Sequence, residues 1–274
     1  MARKRVIYTL LYADGGFMLS RNFRLQRAGD VRWLLKNYHF ETVSSCIDEL
    51  LIVDVSRRGY DREAFLASVR RVVEGSFIPV ALGGGIRDFE TAAAFVASGA
   101  DKVVVNSLFD TEPDVVRRIA DVYGSQCIIG GIDLRRAPAG TLEVLGQQGR
   151  VSLALTPAER VRLMLNSGAG ELLVQSIDRD GTGFGFDLDL PAAVGAPLAA
   201  PLILCGGCGK GSHMLQALAR PEVDAIATAN LFNFIGDGLL KARHELLTSG
   251  LDLARWSSGD VQALRNSLVD SCAS

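Results

Sequence analysis

Glu49-Leu-Leu-Ile-Val-Asp-Val-Ser-Arg57 recurs as Glu171-Leu-Leu-Val-Gln-Ser-Ile-Asp-Arg179, 122 positions further on (171 − 49). Around this pair Gly83-Gly84 returns as Gly206-Gly207, at an offset of 123 (206 − 83). Asp101 returns as Asp224 and Leu108-Phe109 as Leu231-Phe232, at the same 123. Matching stretches at nearly one offset point to a duplicated unit of about half the chain. Each unit carries apolar, β-branched runs: Arg5–Leu10, Glu49–Asp54, Val80–Leu82 and Lys102–Asn106, then Cys127–Asp133, Leu172–Ser176, Leu202–Cys205 and Ala225–Ala229. Such runs suit parallel strands covered on both faces. Between them lie amphipathic segments such as Arg62–Glu74 and Thr91–Ser98, the latter with Asp88 ahead of it as a cap. Four plus four strands alternating with helices predict an α/β fold, a closed (β/α)8 TIM barrel with a two-fold half-barrel repeat.

The rest of the chain fits that frame. Its 274 residues, 48% hydrophobic, suffice for one barrel over 1–250, which needs about 250 residues. The remaining 251–274 read as a C-terminal extension, expected to be helical. No apolar run approaches the roughly 20 residues of a membrane helix, so no membrane is expected. The basic-then-apolar start ends at Tyr12-Ala13-Asp14 without a small-residue cleavage site and reads as a first strand, which predicts a cytoplasmic protein. A net charge of −2 gives no reason to expect nucleic acid. The five cysteines are odd in number and scattered, which favours thiols. Cys205 and Cys208 form a C-x-x-C with no second pair, so no metal site is expected, and no cofactor signature is present. Lys210 is followed by Gly211, which rejects a P-loop. The three histidines, His39, His213 and His244, show no nucleophile partner.

In this fold, chemistry gathers where the strands end. Glycine turns follow strands three and seven, at Gly83-Gly84-Gly85 and Gly206-Gly207, and let backbone N–H groups approach a phosphate. One unit later come Asn106-Ser107 and Ala229-Asn230. The duplication therefore predicts two phosphate sites and a phosphorylated small-molecule substrate. Carboxylates end strands two, five and six: Asp54, Asp133, and Asp178 with Asp180. Asp133 is the expected catalytic group; Asp54 and Asp178 are either supporting acids or helix caps. At the other face Arg5, Glu49, Lys102 and Glu171 open strands one, two, four and six, and by position alone they form strand-end salt bridges.

From near Arg3 to about Lys241 the chain resembles the cyclase subunit of imidazole glycerol phosphate synthase. Arg5-Val-Ile, Asp48-Glu-Leu-Leu, Gly83-Gly-Gly-Ile-Arg-Asp-Phe-Glu-Thr-Ala, Gly99-Ala-Asp-Lys-Val, Gly124-Ser-Gln, Gly168-Ala-Gly-Glu and Ser176-Ile-Asp-Arg-Asp-Gly-Thr182 carry the likeness. The resemblance implies a lyase of histidine biosynthesis that uses ammonia from a glutaminase subunit docked as a heterodimer. It implies that Arg5, Glu49, Lys102 and Glu171 gate the ammonia. Phosphates would be held through Gly84, Gly85, Asn106 and Ser107, and through Asp180, Gly181, Gly206, Gly207, Ala229 and Asn230. One departure concerns catalysis: the family's strand-one aspartate is Leu11 here, the repeat partner of Asp133, and its loop lysine is Leu19. Related barrels encoded with surface-polysaccharide pathways also resemble the chain in this leucine, which implies ammonia supply for sugar amidination. A phosphosugar isomerase of the sister family and a non-catalytic scaffold for a glutaminase are the rival readings.

Overall fold

The computed structural model describes residues 3–38, 46–57, 59–74, 77–229 and 238–254. The strands are β1 Arg5–Ala13, β2 Gly16–Arg21, β3 Arg24–Gly29, β4 Glu49–Asp54, β5 Val80–Gly83, β6 Lys102–Val105, β7 Ile128–Arg136, β8 Leu142–Gly146, β9 Val151–Ser152, β10 Glu171–Ser176, β11 Leu202–Cys205 and β12 Ala225–Thr228. The helices are α1 Val31–Tyr38, α2 Arg62–Val73, α3 Phe89–Ala97, α4 Leu108–Thr111, α5 Pro113–Tyr123, α6 Pro157–Asn166, α7 Leu190–Ala193, α8 Gly211–Leu218 and α9 Gly238–Thr248. Eight strands pair in parallel in the order β1, β4, β5, β6, β7, β10, β11, β12, and β12 returns to β1. The (β/α)8 barrel is closed. Of the repeat, Leu231-Phe232 and Asn230 lie outside the described residues, as do His39 and residues 255–274 of the extension.

Period-two alternation sorts each strand into a bore face and a helix face. Ile7, Leu51, Ala81, Ile129, Leu173, Ile203, Ala225 and Ala227 form one buried cluster in the bore. The intervening Val6, Tyr8, Leu50, Ile52, Leu172, Val174 and Leu204 join Phe65, Val69, Phe95, Val116, Met164 and Met214 of the helices in a second, larger one. Full burial of each such side chain contributes about 1.5–3 kcal/mol. This is why the strands read as continuous apolar runs. The duplication extends to polar detail: Asp101 accepts the Val80 N–H at 2.8 Å and Asp224 the Leu202 N–H at 2.9 Å, two carboxylates fixing the starts of β5 and β11 in the same way.

The apolar runs of strands one and five end at Leu10 and Asp133, whereas both strands run on, to Ala13 and Arg136, and fold back as hairpins. β1 continues antiparallel into β2 and β3, and β7 into β8 and β9. Asp14-Gly15, at φ 49° and 75°, makes the first turn. Asp-Gly with both φ positive is the preferred two-residue hairpin connection, so the sequence carries a signal for this turn. The second turn, Asn22-Phe23 at φ 50° and 61°, had no such signal, because phenylalanine rarely adopts positive φ. Leu19, expected on a loop, stands in β2 opposite Gln26 of β3. No helix of the described residues is long and apolar enough to cross a membrane.

Candidate active site

A cavity of about 550 Å³ opens at the carboxyl ends of the barrel strands and descends into the bore as far as Leu51, Leu173 and Ala227. Its lining includes Leu11 from β1, Asp54 at the end of β4, Gly84 and Gly85 after β5, and Asn106 and Ser107 after β6. Asp133 from β7, Asp180 and Gly181 after β10, Gly206 and Gly207 after β11, and Ala229 after β12 line it from the other side. Asn230 lies outside the described residues. The glycine turns are obligatory: at φ 93° a Cβ on Gly84 would stand 2.0 Å from the Asp54 carbonyl oxygen, and at φ 101° one on Gly207 would stand 2.2 Å from that of Gly185. The repeat thus sets two backbone cradles on opposite sides of one mouth. Arg57, Arg87 and Arg150, with Gln147 and Gln148, also line it. Sequence reasoning missed these five: Gln147, Gln148 and Arg150 sit on the unforeseen β8–β9 turn, and Arg57 and Arg87 stand on the loops after β4 and β5. Their positive charge favours an anionic ligand.

The carboxylates differ in use. Asp133 faces the bore, and burial pushes its carboxyl up to about 7 against a hydrogen bond from Asn106 Nδ2 at 3.1 Å. Such a group holds or releases a proton near neutrality. Asp54 is buried; its Oδ1 accepts the Ser56 N–H at 2.7 Å, and its Oδ2 has no hydrogen-bond partner. Burial raises it too. The capping alternative does not apply to Asp54, because Asp61 caps α2 through the Ala64 N–H at 3.0 Å. Asp178 is exposed, absent from the cavity lining, and accepts the Arg136 N–H at 2.7 Å. Asp180 accepts from Ser20 Oγ at 2.5 Å and the Phe23 N–H at 3.0 Å, so its carboxylate ties the β2–β3 hairpin to the loop after β10. Gly181 is there for the same contact, a Cβ falling 2.0 Å from the Ser20 carbonyl oxygen. Burial pushes the thiols of Cys205 and Cys208 up, so neither is a ready nucleophile. Among the described residues no group of three or more His, Cys, Asp or Glu side chains is placed to hold a metal ion.

At the opposite end of the bore the four strand-start charges close into a ring. Arg5 bonds Glu49 at 3.0 Å and Glu171 at 3.1 Å, and Lys102 bonds both glutamates at 3.0 Å. Burial works against the Arg5 charge, but Glu171 and Glu49 outweigh it and hold its pKa above the ordinary value. Burial pushes Glu49 up despite Lys102 and Arg5, consistent with its Oε1 lacking any hydrogen-bond partner. Removing one cation leaves an incompletely paired buried carboxylate. Lys102→Met is therefore expected to cost about 2–4 kcal/mol of stability, read from chemical denaturation. A loss below about 0.5 kcal/mol would mean that Arg5 and solvent suffice for the two glutamates without Lys102.

The histidine biosynthesis protein family matches residues 24–236 of this chain. A protein of Parasynechococcus marenigrum, provisionally named imidazole glycerol phosphate synthase subunit hisF2, is 42% identical over 257 residues, spanning 93% of this chain and 95% of that protein. With its closed barrel, its paired glycine cradles and this match over most of its length, the chain belongs to the histidine biosynthesis protein family.

Proposed function

We propose that this chain is the ammonia-using barrel of a glutamine-dependent enzyme of the imidazole glycerol phosphate synthase type. The observation that carries the reading is one bore with two different ends: a cavity with twin glycine cradles above, and a closed ring of two cations and two carboxylates below. A ligand with two phosphates spans the cradles, Asp133 serves as the proton-transfer group, and ammonia arrives through the ring from a glutaminase docked beneath it. Leu11 favours a second reading of the same architecture, in which the barrel serves a sugar amidination for surface polysaccharide rather than the ring-forming cyclase step. A leucine on the cavity wall opposite Asp133 moves no proton.

Two measurements test this. Isothermal titration is expected to show two phosphate equivalents, and Gly207→Val is expected to remove one of them, since its side chain would occupy backbone space. No phosphate affinity in the unmodified chain would sink the cradle assignment. Native mass spectrometry with a class I glutaminase subunit of the same organism is expected to show a one-to-one complex that Arg5→Glu dissolves. A pair that never associates reduces the ring to strand-end salt bridges.

A further inference from the structure

Behind the cavity wall, between α6 and the barrel, lies a charged side chain that the site as described does not use. Arg160 has no exposed surface, a rarity for arginine unless it is paired. The start of α6 is fixed by a capping box, in which Thr156 Oγ accepts the Glu159 N–H at 3.3 Å and Glu159 Oε2 accepts the Thr156 N–H at 2.8 Å. The next residue, Arg160, is thereby aimed inward. Its Nη1 bonds the Asp110 carboxylate on α4, and its Nη2 lies 3.0 Å from the Asn106 carbonyl and 3.3 Å from Asn106 Oδ1. The Phe109 ring lies 5.8 Å from the guanidinium carbon.

The contact to Oδ1 has a chemical consequence. A guanidinium only donates, so the amide atom facing it must be oxygen. The amide nitrogen is then turned away, and it donates to Asp133 Oδ2 at 3.1 Å. Asp110, Arg160, Asn106 and Asp133 therefore form one polar line from the helix layer to the cavity. Stability alone does not call for such a line. Burying an ion pair generally costs as much as it returns, and Arg160 Nε has no hydrogen-bond partner. An apolar pair would fill the place at less cost.

We infer that Arg160 is a positioning residue, which locks the Asn106 amide so that a hydrogen-bond donor stays aimed at Asp133 from outside the cavity. Its functional meaning rests on the reading of Asp133 as the proton-transfer group. Around Asp133 stand Asn106 from the end of β6 and Arg160 from α6, both favouring the ionised carboxylate, and Asp180 after β10, which opposes it. The Cys205 thiol of β11 also feels its charge. Released from Arg160, the amide is free to turn its oxygen toward the carboxylate, which would then ionise less readily.

The test is a carbon-13 titration of the Asp133 carboxyl in aspartate-labelled protein, assigned through Asp133→Asn. The double variant Arg160→Met, Asp110→Leu removes the pair without leaving an orphan charge, so it is expected to fold. Its Asp133 midpoint is expected to rise by about one pH unit, while its melting temperature changes little. In an Asn106→Ala background the same two substitutions are expected to move the midpoint by only the small direct effect of the Arg160 charge, well below that shift. An unmoved midpoint in the double variant overturns the proposal, and so does a full shift in the Asn106→Ala background, which would mean that Arg160 acts by charge alone. Turnover that survives Asp133→Asn would remove the catalytic reading of Asp133 and leave the positioning, read by titration, standing.

Discussion

Supplied with ammonia and the histidine-pathway nucleotide, the isolated chain is expected to turn over about 10²–10⁴-fold more slowly than a cyclase with an aspartate at the end of strand one. Leu11→Asp is expected to recover most of that deficit. β1 and β7 are diametrically opposed in the eight-strand order, and Leu11 and Asp133 both line the one cavity. Opposite Asp133, β1 itself offers the cavity no titratable group, and the carboxylate on that side is Asp54 of the neighbouring β4. Asp14 does not replace the missing group: it is an exposed turn residue outside the cavity lining. Leu19→Lys is expected to add little, because Ser20, not Leu19, lines the cavity from β2. A carboxylate at position 11 would face the open cavity beside Thr9 rather than the apolar helix layer, so Leu11→Asp should fold. Steady-state rates at saturating ammonia check this. Ordinary cyclase turnover by the unmodified chain refutes it.

What the sequence disclosed follows from what repeats. Glu49 to Asp54 and Glu171 to Ser176 announced buried parallel strands, because both faces of a barrel strand are covered and polar residues survive only at its ends. Position parity then carried the site: Arg5, Ile7, Thr9 and Leu11 share one face of β1, so the ring, the bore and the cavity wall could be read in order along a single strand. The hairpins after β1 and β7 are hard to read because their strands alternate only weakly, although Asp14-Gly15 is a usable turn signal. Asp178 and Asp180 illustrate a different limit. Both sit where chemistry is expected, but their carboxylates are taken up by Arg136 and by Ser20 with Phe23, groups that only the folded hairpins bring near. Arg160 was illegible for the same reason: on a helix it reads as a solvent-facing charge until Asp110 and Asn106 arrive from another loop.

Asp133→Asn is expected to lower whatever proton-dependent turnover the chain has by about 10²–10⁴-fold, and at the same time to stabilise the fold. The sign follows from linkage. Burial holds the Asp133 carboxyl protonated up to about 7, whereas in the unfolded chain an aspartate ionises near 4. Between those values the folded protein binds the extra proton, so the favourable contribution present below about pH 4 fades as pH rises and is gone above about 7. Asparagine does not titrate. The stability gained by the variant should therefore be small at pH 4.5 and grow to about 1–3 kcal/mol at pH 8, a range reduced for the water that reaches Asp133 through the cavity. Urea denaturation of both proteins at the two pH values measures it. Equal gains at pH 4.5 and pH 8 would mean that Asp133 titrates as an ordinary carboxylate. It would then be fully ionised near neutrality, and the proton donor would have to be sought elsewhere in the cavity, first at Asp54.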